Sequence, residues 1–232
     1  MTPDAEKARA LLATANRILA REGVMDAFGH VSVRNPTYSD KFYLARSIAP
    51  ALVTKNDILE FDLNSRPAQP TDVALYSERV IHGAIYRLRS DVNAVCHHHS
   101  TVLMPFCLTD LKLRVVNQLG ATIGKHVPIW DQRDEFGYTN NLVRTEQQAL
   151  SLARCLGSSS LVIMKRHGAT LVGRNLMELV FRSIYSCRNA ELQLHALSHG
   201  EIEYFADEEI ELASSYSDTT YLRAWEYWCS RL

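Results

Sequence analysis

The stretch DVNAVCHHHS, residues 91–100, limits the fold more than any other part of this 232-residue chain. Its apolar portion is too short for a helix and runs straight into three imidazoles, as a strand does where it leaves the core and meets a polar rim. Side chains on a strand alternate faces, so His97 and His99 point one way while His98 points the other way with Cys96 and Ala94. Two imidazoles on one face can share one ion, and zinc, manganese, iron and cobalt all accept imidazole nitrogen when one or two further ligands arrive from elsewhere. The pattern alone leaves a second reading open, three histidines on a solvated loop.

The rest of the chain alternates between helical and strand periodicity. Leu11, Leu12, Ala15, Ile18 and Leu19 form a helical stripe that stops at Gly23. HVSVRN and KFYLAR, separated by the turn-forming NPTYSD, predict a hairpin, and DILEFDLNSRP predicts a further strand. Helical spacing returns through Ile81, Ala84, Ile85 and Leu88. TEQQALSLARCLG opens with Thr145 and Gln148 in capping-box spacing and closes on Gly157. SLVIMKRHGATLVG predicts a buried strand, a bend near Gly168 and a second strand; the segment after it predicts a long helix opened by Asn175 with Glu178 and ended by Gly200. Hairpin-like pairs with helices between them favour a mixed or antiparallel sheet over a doubly wound parallel one. With 47% hydrophobic residues, no repeat and no linker, residues 1–232 are expected to form one domain.

Composition excludes several functions. A net charge of −1 gives no electrostatic grip on nucleic acid or anionic lipid. Five scattered cysteines without a CxxC pair argue against a disulfide framework or a zinc knuckle, and fit a reducing cytoplasm. The N-terminal segment is charged throughout and no apolar stretch reaches membrane-spanning length, so a soluble, cytoplasmic protein is expected.

Two further residues bear on a metal. His167, in MKRHGATLVG, follows a buried strand and precedes a glycine, where an imidazole is either a turn residue or a ligand presented into a cleft. Glu78 precedes Ile81 by three positions and shares its helical face, where a carboxylate is costly unless paired or bound to a cation. Its bland alternative is a helix-start residue favoured by the N-terminal dipole, with Ser77 as cap. His82, one turn on, either orients a ligand or packs the helix. In YLRAWEYWCSRL, Leu222, Trp225 and Trp228 form an aromatic stripe that suits packing.

Taken together, SERVIHGAIY, AVCHHHS and KRHGATLVG resemble the motifs of the class II aldolase and adducin family, S-E-x-x-x-H-x-x-I-Y, A-V-x-H-x-H-S and x-x-H-G-x-x-x-x-G. The resemblance implies a three-layer α/β/α domain around a mixed, largely antiparallel sheet, assembled as a homotetramer with active sites at subunit contacts. It also implies one divalent metal ion per subunit (zinc, manganese, or iron or cobalt) on His97, His99 and His167, with Glu78 as a fourth ligand or as the acid/base beside it.

The departures from the family pattern narrow the chemistry. Sugar-phosphate members carry T-x-G-N and T-P-[ST]-G phosphate loops, where this chain has AFGH and ARSIAP. Phe28, His30, Arg46 and Ile48 replace the small groups that let backbone N–H donors close on a phosphate. DAFGHVSVR, ARSIAPALVT and WDQRDEFG instead resemble a subgroup that decarboxylates hydroxylated aromatic or pyridine dicarboxylates, such as 3-hydroxy-2-methylpyridine-4,5-dicarboxylate and dihydroxyphthalate. On that resemblance Glu78 is the first candidate to protonate the ring carbon, with Tyr138 or His30 behind it. His30, Arg46, Ser47 and Arg133 are candidates to hold the carboxylate that stays, a guanidinium gripping it through two parallel hydrogen bonds. The alternatives are an aldolase or epimerase of an unphosphorylated hydroxy-carbonyl compound, and a non-catalytic scaffold of the adducin kind.

Overall fold

A computed structural model describes residues 3–232. Among them seven strands form one sheet: β1 (His30–Arg34), β2 (Lys41–Ala45), β3 (Ile58–Asp62), β4 (Ala94–His98), β5 (Ile129–Trp130), β6 (Leu161–Met164) and β7 (Gly168–Gly173). Their order is β3-β2-β1-β4-β7-β6-β5, antiparallel throughout except for the parallel β5–β6 pair. The helices are α1 (Pro3–Arg21), α2 (Val80–Leu88), α3 (Met104–Leu108), α4 (Gln132–Phe136), α5 (Glu146–Leu156), α6 (Leu176–Leu197), α7 (Asp207–Ala213) and α8 (Asp218–Cys229).

Period-two alternation divides the interior into two cores, one on each side of the sheet. Val31, Tyr43, Cys96, Ile163 and Leu171 face Leu12 and Ile18 of α1, Leu179 and Ile184 of α6, and Trp225 and Trp228 of α8. Phe42, Leu44, Val95, Val162 and Val172 face Ile81 and Ile85 of α2 and Leu152 and Leu156 of α5. The result is a three-layer α/β/α fold with a mixed, largely antiparallel sheet, as the motifs implied. The C-terminal tryptophans pack as expected, but Leu222 of the same stripe is left exposed.

Local signals act where the sequence places them. Thr145 and Gln148 form the capping box of α5, Asn175 caps α6 by accepting from the Glu178 N–H, and Gly23 and Gly157 end α1 and α5 at positive φ. The α2 region differs from expectation. Ser77–Arg79 form a 3-10 turn ahead of α2, so Ser77 is the first residue of the turn and not a cap; the N-cap positions fall to Tyr76 for the turn and Arg79 for α2. Glu78 therefore enters the structure from a tight turn at the mouth of the sheet.

One glycine governs the edge where β4 ends and β7 begins. A Cβ on Gly168 would overlap the His98 carbonyl and stand 3.0 Å from His99 Cδ2. Gly168→Ala is expected to lower stability by about 1–3 kcal/mol through overpacking, read as a shift of the urea midpoint at unchanged slope.

Candidate metal centre

The centre lies where the end of β4 meets the starts of β1 and β7. His30 is the register partner of His97, and Thr170 is its partner on the other side. His99 follows β4 by one residue, and His167 sits in the β6–β7 turn immediately after Arg166, whose φ of 60° places it in the left-handed region. The Arg166 guanidinium is anchored by Asp131. Glu78 descends on the group from the 3-10 turn.

The ring nitrogens converge. His97 Nε2 is 3.0 Å from His99 Nε2 and 3.2 Å from His167 Nε2, and the last two are 3.0 Å apart. Glu78 Oε2 is 3.7 Å from His97 Nε2 and its Oε1 is 3.5 Å from His167 Nε2. One ligand atom from each of the four residues lies within 4.8 Å of all the others.

The outward nitrogens decide the tautomers. His167 Nδ1 is 2.5 Å from the Asn141 carbonyl, and His97 Nδ1 is 3.1 Å from the Ala169 carbonyl. A carbonyl only accepts, so each Nδ1 carries a proton, and each ring when neutral turns its Nε2 lone pair to the centre. Inward-facing lone pairs repel unless a proton or a cation lies among them. A tetrahedral zinc–imidazole site separates its nitrogens by about 3.3–3.4 Å, given bonds of about 2.0–2.1 Å. The donor set fits a dication, and carbonyl acceptors behind ligating histidines are the usual means of orienting them.

The electrostatics are split. Burial pushes His99 down to about 3, helped by its histidine neighbours, and also lowers His97. Burial acts against both partners of the Glu78–His167 contact, yet their mutual hydrogen bond wins: His167 is raised, and Glu78, also bonded to His97, is held well below the usual carboxylate range. The Glu78 carboxylate is further fixed by the Val143 N–H, 2.9 Å from Oε1.

A cavity of about 490 Å³ opens beside the cluster. His30, Ser47, Glu78 and His99 line it, together with Phe28 and Ser77, which the sequence reading had not singled out as site residues. Arg46 is a correction: it does not line the cavity, and its Nε is bound to Asp57 Oδ1 at 2.7 Å. Arg46 N is bonded to Asp57 O one residue past β2, and the chain then bends at Ser47, whose N–H is bonded to Ala74 O and which lines the cavity. Arg133 and Tyr138 do not line it either. The short helix α4, capped by Asp131, and the turn at Gly137 carry both outward, where the Arg133 guanidinium stacks 5.1 Å over the Tyr138 ring and Tyr138 is 92% exposed.

His82 is a further difference. It touches none of the four clustered residues by hydrogen bond; its partners are His30 and Ser32. Ser32 follows His30 by two on β1, and Tyr86 follows His82 by four on α2. Those spacings mark a shared face, a signal present in the sequence. His98 points away, as expected, and accepts from the Ser100 N–H.

Comparison with known proteins bears on this geometry. The model of the class II aldolase and adducin N-terminal domain matches residues 10–194. Decarboxylase tropJ of Talaromyces stipitatus is 31% identical over 91% of this chain and 88% of its own length. The 3,4-dihydroxyphthalate decarboxylase of Arthrobacter keyseri is 26% identical over 97% and 94%. The crystal structure of an aldolase II superfamily protein from Pseudomonas syringae superposes with a TM-score of 0.84 at 21% identity, over 100% of this chain and 94% of that one. With a family match over most of the sequence and a relative similar along nearly all of it, this chain belongs to the class II aldolase and adducin family.

Proposed function

We propose that the protein is a divalent-metal-dependent carboxy-lyase that removes carbon dioxide from a hydroxylated aromatic or pyridine (di)carboxylate. The observation that carries this reading is the convergence of three Nε2 atoms and one carboxylate beside a ligand-sized cavity, in a chain whose relatives include proteins named decarboxylases. His97, His99 and His167 would hold the ion through Nε2, and zinc, manganese, iron and cobalt all suit that donor set. When bound, such an ion acts as a Lewis acid that draws charge from the breaking bond onto a substrate oxygen.

The remaining work falls to the chain. Glu78, ionised in this setting, accepts the proton of the substrate hydroxyl and returns it to the ring carbon as carbon dioxide leaves, so one proton is taken and one delivered. His30 and Ser47 hold the carboxylate that stays. Arg133 and Tyr138, exposed and stacked on one another, serve the pocket of a neighbouring subunit in a homotetramer. No described helix is long and apolar enough to cross a membrane.

The test is to incubate metal-reconstituted protein with a panel of ortho-hydroxy aromatic and pyridine dicarboxylates and to follow carbon dioxide by mass spectrometry. Release from at least one member is expected. Retro-aldol cleavage of an unphosphorylated hydroxy-ketone without any carbon dioxide would move the assignment to the aldolase reading; protein that binds no metal would move it to a scaffold.

Metal uptake carries a pH signature. Burial makes His97 and His99 harder to protonate than a free imidazole, whereas His167, despite its burial, is raised by its contact with Glu78, so its proton persists to higher pH and must leave before its Nε2 can ligate. Apparent affinity is therefore expected to rise with pH until His167 is neutral, and to fall about tenfold per pH unit below that point. Calorimetry in two buffers of different ionisation enthalpy should show about one proton released per ion on the acidic side. Release of none there would contradict the assigned charge state.

A further inference from the structure

Four buried side chains form a line that ends at the cavity. His30 Nδ1 lies 2.6 Å from His82 Nε2, His82 Nδ1 lies 2.6 Å from Ser32 Oγ, and Ser32 Oγ lies 2.8 Å from the Tyr86 hydroxyl. Ser32 and His82 are fully buried, Tyr86 is 2% exposed and His30 4%. Each link holds one proton, so the line has two possible senses.

The buried end distinguishes them. Among the described residues, Ser32 is the hydrogen-bond partner of the Tyr86 hydroxyl. If Ser32 donated to Tyr86, the phenolic O–H would be left buried without an acceptor, which is unfavourable. If Tyr86 donates, every link is satisfied: Tyr86 to Ser32, Ser32 to His82 Nδ1, and His82 Nε2–H to His30 Nδ1. Neutral His30 must then carry its proton on Nε2, which has no partner among the described residues and belongs to a side chain lining the cavity. The Arg34 guanidinium, 4.7 Å over the Tyr86 ring, favours the donor sense by drawing charge from the phenol.

We infer that Tyr86, Ser32 and His82 are positioning residues that lock His30 in its Nε2–H tautomer, so that His30 meets an anionic substrate oxygen as a hydrogen-bond donor. The line is a clamp and not a proton source. Supplying a proton from Nε2 would require three successive hops and would leave a tyrosinate at Tyr86, whose phenol burial pushes well above its usual value. Of the two roles open to His30, carboxylate binding is retained and ring protonation is left to Glu78. The cavity contains no arginine or lysine from this chain among its described lining, so a neutral N–H donor there carries much of the recognition of the retained carboxylate.

The inference rests on the proposed reading only in taking this cavity as the substrate site, and the test separates the two. Long-range proton–nitrogen NMR correlation on 15N-labelled, zinc-loaded protein, with His30 assigned by loss of its signals in His30→Gln, should show the Nε2–H form for both His30 and His82. Phthalate, an aromatic dicarboxylate without the hydroxyl, serves as the binding probe. His82→Leu should weaken phthalate binding about five- to tenfold at unchanged zinc content, and His82→Gln, which can still donate to Nδ1, should restore it. Should His82→Leu fail to fold, Ser32→Ala is expected to shift affinity in the same direction. An Nδ1–H His30 in the wild-type protein, or a folded His82→Gln no better than His82→Leu, overturns the inference while leaving the decarboxylase reading intact. Absence of carbon dioxide from every substrate overturns that reading and leaves the tautomer result standing.

Discussion

His97→Ala protein is expected to lose both metal and activity, the largest effect of any single substitution in this chain. His97 is fully buried, its Nε2 lies within 3.2 Å of the other two ring nitrogens, and its Nδ1 is tied to β7, so no neighbouring group can move into its place. If the ion supplies several kcal/mol of stabilisation to the developing charge, turnover should fall by about a thousandfold or more. A second readout needs no substrate. Wild-type protein with zinc at a hundred times its Kd should gain about 2.7 kcal/mol of stability, or about 5–10 °C in Tm for a chain of this size. The variant should show almost none of that rise. Full metal content and normal turnover in His97→Ala would sink the metal reading altogether.

Glu78→Gln is expected to separate binding from chemistry. The amide oxygen can still accept from the Val143 N–H, so the turn and the wall of the cavity should persist. The group loses its capacity to take a proton and return it, and general acid–base groups of this kind contribute about 10²–10⁴ in rate. We expect kcat to fall within that range, with KM and metal content near wild type. Metal content that falls in step with kcat would instead make Glu78 chiefly a ligand, and unchanged kcat would remove it from the proton path.

The fold was legible because each layer follows a local rule. Val31 and Val33 against Ser32, Cys96 against His97, and Leu171 against Thr170 alternate strictly, so each strand announces its two faces. Thr145 with Gln148 and Asn175 with Glu178 mark helix starts by satisfying backbone N–H groups that the helix itself leaves free. The four clustered residues were readable as types in order, from Glu78 through the His-x-His pair to His167. Arg46, Arg133 and Tyr138 stand outside this chain's own cavity, which the sequence could not show, because proximity to a motif does not say which way a side chain turns at the end of a strand or of a short helix.

The sequence by itself determined which side chains offer donor atoms that could suit a dication and that His97 and His98 stand on opposite faces of β4, since alternation and turn chemistry are local consequences of residue identity. Only the tertiary structure decided that the three Nε2 atoms share one point, that Asp57 takes Arg46 away from the cavity, and that Tyr86 reaches His30 through Ser32 and His82. The first and third of those outcomes depend on strand order and helix placement, which bring residues some fifty to seventy positions apart within hydrogen-bonding distance, whereas Arg46 and Asp57 meet at the end of the β2–β3 pair. No spacing along the chain encodes the direction in which such partners will meet.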